Sequence, residues 1–136
     1  MDALLIPAVS VTVGIAGTRL TARQIGAIRA QVERNVRLPA RPRWEQKACA
    51  QARVIALVAA GDGDPGLAAV LGQGAALAFD LMLAAGPAAD GIAANFHLRL
   101  LEQLSLGDAD GVADETERHL RCLHFMWRLS GPRPAG

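Results

Sequence analysis

The sequence predicts an all-α fold, an antiparallel bundle of about six helices spanning residues 1–130, with 131–136 as a flexible tail. Three observations carry that reading. The chain is rich in Ala and Leu, has no Tyr and few aromatic residues, a composition that favours helix over sheet. Apolar residues recur at helical spacing through most of the 136 residues. Helix stops and starts then divide the chain into segments of ordinary helical length.

The first helix is expected from Asp2 to Ala16, with Leu4, Ala8, Val11 and Ile15 as its apolar stripe and Gly17 as its terminator. β-branched Val and Thr weaken the helical preference here, and Val9 to Val13 carries a weak strand signal. Thr21-Ala22-Arg23-Gln24 is a capping box that opens the second helix, whose buried stripe is Ile25, Ile28 and Val32. Pro39 and Pro42 mark a loop. The third helix runs from Trp44 to Ala60 on Val54, Leu57 and Val58. Gly61-Asp62-Gly63 breaks it, and Asp64-Pro65 supplies an N-cap followed by proline at the first helical position. The fourth helix extends to Ala85, and Gly86-Pro87 is the next stop and start. Gly107-Asp108 separates the last two helices.

Composition also limits function. A net charge of +1, with arginines scattered rather than massed, argues against a protein that binds nucleic acid by itself. Cys49 and Cys122 form no disulfide framework and no CxxC pair, which suits a reduced, cytoplasmic setting. The uncharged run from Gly66 to Phe79 is Gly- and Ala-rich and ends at Asp80, so it reads as a buried helix rather than a membrane span. No nucleophile elbow, phosphate-binding glycine loop or HExxH motif is present. Gly61-Asp62-Gly63-Asp64 lacks the downstream ligands of a calcium loop and reads as a turn.

The informative residues are His97 and His119. Each stands 11 residues from Asp108, on either side of the turn. At about 1.5 Å of rise per residue, antiparallel helices bring the two imidazoles level, roughly 16 Å from the turn. Both also point inward: Ala93, Leu100, Leu101 and Leu104 share the direction of His97, and Val112, Cys122, Leu123 and Met126 that of His119. One such histidine would be a core residue with its hydrogen bond satisfied; two at matched height suggest a shared polar site. Glu115, one turn before His119, is either an additional ligand or an acid interacting with the helix dipole. Cys122 is expected as a small core residue, and His124 and Phe125 project away from the seam.

The segments Phe96-His97, Leu100-Leu101, Gly107-Asp108-Ala109-Asp110 and His119-Leu120, with a His-to-His spacing of 22 residues, resemble the end of the effector-binding domain of GntR-type bacterial transcription regulators, the FadR C-terminal (FCD) class. Leu5-Ile6-Pro7, Arg19-Leu20-Thr21 and Ala60-Gly61 to Pro65-Gly66-Leu67 extend the likeness over nearly the whole chain. The resemblance implies a homodimer, a small-molecule effector held between helices, and DNA contact only through a winged-helix domain that these residues do not supply. It also implies a divalent metal, zinc or nickel, on His97, His119 and an earlier Asp-and-His pair one turn apart. Those earlier positions fall on Cys49 and Arg53, or on Gln51 and Ile55, so the pair is missing and the site is degenerate. Under the first alignment Arg53 replaces the metal's charge and grips a carboxylate effector; otherwise it is a solvated helix residue. A non-enzymatic sensor is therefore the leading expectation. A metal-dependent enzyme using His97, His119 and Glu115, or a ligand-free dimerisation module, are the alternatives.

Overall fold

The computed structural model describes residues 3–61 and 63–130, apart from the side chain of Ser130. Asp2, Asp62 and the tail at 131–136 lie outside them. Six helices follow in order: α1 Leu5–Thr18, α2 Ala22–Arg37, α3 Trp44–Ala60, α4 Pro65–Ala85, α5 Asp90–Leu106 and α6 Ala109–Ser130. A 3-10 turn, Pro87–Ala89, precedes α5, and no strand occurs among the described residues.

The predicted caps form. Thr21 Oγ1 accepts from the Gln24 amide at 3.2 Å while the Gln24 side chain accepts from the Thr21 amide at 2.8 Å. Asp64 accepts from the amide of Gly66 at 2.8 Å, ahead of Pro65. At the α5–α6 corner Gly107 adopts φ +69°, the left-handed conformation that closes a helix at low cost only in glycine. The next helix starts at once, with Asp108 accepting from Gly111 at 2.9 Å.

Packing departs from expectation in α1. Its buried face is Ile6, Val9, Val13 and Ala16, whereas Leu4, Val11 and Ile15 are exposed. No charged residue stands between positions 3 and 18, so every face is apolar enough to bury and periodicity cannot select one. Close approach selects instead. A Cβ on Gly14 would lie 2.5 Å from the Ala109 carbonyl oxygen, and one on Gly17 2.7 Å from Leu104 Cδ2. Gly17 is thus a buried packing residue and the helix runs on to Thr18, correcting the reading of Gly17 as its stop. Ser10 and Thr12 are tolerated on the inner side because each hydroxyl donates to the carbonyl four residues back, at 2.7 Å.

Around α1 the other helices pair off. α3 packs along α4, α6 along α1 and α5, and α2 closes over α3 and α5. Trp44, at the start of α3, donates its indole N–H to the Met82 carbonyl at 2.8 Å, fastening it to the end of α4. By length and composition alone α4 is long and apolar enough to cross a membrane. Here it packs on α1, α3 and α6, burying Leu71, Gly74, Leu77, Ala78, Leu81 and Met82 and leaving Ala69, Gly72 and Ala76 outside.

Candidate functional site

The matched offsets from Asp108 translate directly into geometry. His97 and His119 are both buried, and their ring centroids lie 6.2 Å apart at 53°. Phe96 stacks almost flat on His119, with centroids 4.0 Å apart and 8° between planes. That stacking fills the space on one side of the His119 ring and seals it from water. No hydrogen-bond partner reaches His119 Nδ1. Burial lowers His97 to about 4 from its ordinary 6.5. His119 is lowered well below 6.5, first by burial and then by the adjacent His97 and the positive charge of Arg99. Both imidazoles are therefore neutral near physiological pH.

His97, unlike His119, also borders a cavity of about 100 Å³ between α2, α3 and α5. The lining comprises Val32, Asn35 and Val36 from α2, Lys47 and Gln51 from α3, and Asp90, Ala94 and His97 from α5. Lys47 is buried and its ammonium lies 2.8 and 2.9 Å from the two Asp90 oxygens. Gln51 donates to the same carboxylate at 3.0 Å, but no donor reaches Gln51 Oε1. Asn35 is held from two sides. It donates to the Ala50 carbonyl at 2.9 Å and accepts from Gln31 at 2.8 Å. Asp90 occupies the first turn of α5, where its charge is favoured by the helix dipole.

Lys47 and Asp90 do not stand out in the sequence, and Gln51 does so only as a position where the implied Asp-and-His pair is missing. Lys47 and Gln51 sit one turn apart on the face that carries Trp44, Ala48 and Ile55, and two polar residues on that apolar seam were the available signal. Asp90, opening a helix just after Pro87, resembled an ordinary N-terminal acid.

Arg53 does not join this site. It is exposed and lines a shallow groove between α3 and α4 with Cys49, Ala52, Ala56, Ala75, Ala76 and Phe79. Two residues along a helix is about 200° of rotation, which separates Arg53 from Gln51 onto opposite faces. Glu115 also turns elsewhere, pairing with Arg99 of α5 at 2.8 Å and more loosely with Arg118. Cys122 is half-buried, short of the core position expected, and Phe125 is exposed. His124 stacks obliquely against Trp127.

The residues do not suit the divalent metal that the sequence resemblance implies. Among the described residues no group of three or more His, Cys, Asp or Glu side chains is placed to hold one. Beside His97, the Lys47 ammonium supplies a fixed positive charge where a metal's would be needed. The chain matches no family model, no curated protein and no solved structure.

Proposed function

We propose that this chain is the ligand-sensing and dimerisation domain of a GntR-type, FCD-class transcription regulator, taking a small organic-acid-like effector between α2, α3 and α5. One observation carries the reading: a cavity of about 100 Å³ lined by a buried ammonium paired with a half-buried carboxylate, a carboxamide and a neutral imidazole. An unmatched buried acceptor costs about 1–3 kcal/mol, and Gln51, whose Oε1 has no donor, is among the residues lining this cavity. Lys47, not Arg53, is the cation that would face an acidic effector. A ligand bridging three helices favours one packing of α2 and α5 over another, which is how a sensor passes on occupancy.

Support for self-association comes from exposed apolar side chains: Val11 and Ile15 on α1, Phe125 and Leu129 on α6. DNA contact would fall to a separate winged-helix unit. The free thiols of Cys49 and Cys122 suit a cytoplasmic setting.

The test is isothermal titration of a panel of small organic acids and amino acids against the parent and Ala94→Leu. The new side chain fills the cavity without altering charge. Saturable binding by the parent, lost in Ala94→Leu, with sedimentation showing a dimer, is the expected result. Absence of binding across the panel, or unchanged binding to Ala94→Leu, defeats the reading.

A further inference from the structure

The electrostatic balance of the cavity narrows the class of ligand. Lys47 and Asp90 already neutralise each other within it. A simple carboxylate entering beside them adds an uncompensated negative charge, and a simple amine an uncompensated positive one. Either costs free energy beside a lysine shielded from water. Hydrogen-bonding capacity nevertheless remains on both partners. An ammonium carries three donors, and an ionised carboxylate accepts at about four lone-pair sites. Asp90 receives Lys47 and Gln51, while Gln51 Oε1 receives nothing.

We infer that the cavity takes a small zwitterionic α-amino acid of about alanine size, its carboxylate on Lys47 and its ammonium on Asp90. The inference rests on the ligand-sensing reading above. It leaves the Lys47–Asp90 bond intact and lays the ligand's own charge pair antiparallel beside it, so that each charge has an opposite neighbour. The nitrogen-to-oxygen separations of 2.8 and 2.9 Å in the protein pair are close to the spacing of ammonium and carboxylate within an α-amino acid. Val32, Val36 and Ala94 give the side chain an apolar wall. A volume of about 100 Å³ is roughly that of three waters, which limits the side chain to a methyl group or little more. Entry is available where Asp90 and Val36 meet solvent, their exposures being 29% and 62%.

Isothermal titration of the full chain with L-alanine, propionate and ethylamine separates the charge classes, and glycine, alanine and leucine separate sizes without any mutation. Alanine is expected to bind about tenfold or more tightly than propionate or ethylamine, the worth of one charge-assisted hydrogen bond or more. Leucine is expected not to bind. Asp90→Asn, with its fold checked by circular dichroism, is expected to weaken alanine by about tenfold. Propionate or ethylamine binding as tightly as alanine overturns this inference and leaves ligand sensing standing. So does leucine binding as well as alanine. If no amino acid binds while another panel member does, the inference fails alone; if nothing binds, both fail.

Discussion

Acidification should destabilise this fold through its two neutral histidines. His97 is lowered from 6.5 to about 4 by burial, and His119 is also lowered, so in the folded state both resist protonation. In the unfolded chain each takes up a proton near its ordinary value. Between those limits the unfolded state binds more protons, so stability falls as pH falls. The contribution is fully present above the unfolded value of 6.5, is lost progressively below it, and for His97 is gone below about 4. At 1.36 kcal/mol per pH unit, His97 alone accounts for about 2 kcal/mol between about pH 7 and pH 5, and about 3 kcal/mol over its whole window. His119, lowered in the same direction, adds to the loss. The assay is urea unfolding followed by far-UV circular dichroism in steps of pH at constant ionic strength, on the parent and on His97→Gln. The variant should lose the His97 share of that slope, about 1.5 kcal/mol between pH 6.5 and 5. A parent whose stability is flat across that interval, or a variant with an undiminished slope, refutes the assignment of both rings as buried and neutral.

Two further outcomes follow from packing. Gly14→Ala places a methyl 2.5 Å from the Ala109 carbonyl and should cost about 1–3 kcal/mol in thermal or urea unfolding. Gly26→Ala, on an open face of α2 with nothing within 4 Å, should stabilise by about 0.4–1 kcal/mol. Equal effects at the two sites would mean that α1 and α6 are not in contact there. Phe96→Ala removes the ring stacked on His119 and should cost about 3–5 kcal/mol. A loss under about 1 kcal/mol by the same measurement would show that the ring is not core.

Much of this molecule was legible in local sequence. The Thr21 capping box, Asp64-Pro65, Gly86-Pro87 and Gly107-Asp108 set the helix boundaries, because caps and left-handed glycines depend on residues within one turn. The meeting of His97 and His119 was legible too, since a tight turn turns equal sequence offsets into equal heights. The face buried by α1 was not. With apolar residues all round, the choice fell to Gly14 and Gly17 and to the helices that approach them. The polar cavity was also decided by tertiary structure. Its ion pair joins Lys47 to Asp90 across 43 residues, and no local pattern records which distant acid a lysine will meet. Sequence alone therefore determined the helices, most of their ends and one hairpin's register, all short-range consequences of backbone geometry. The packing of α2, α3 and α5 determined which polar side chains were left facing one another out of water.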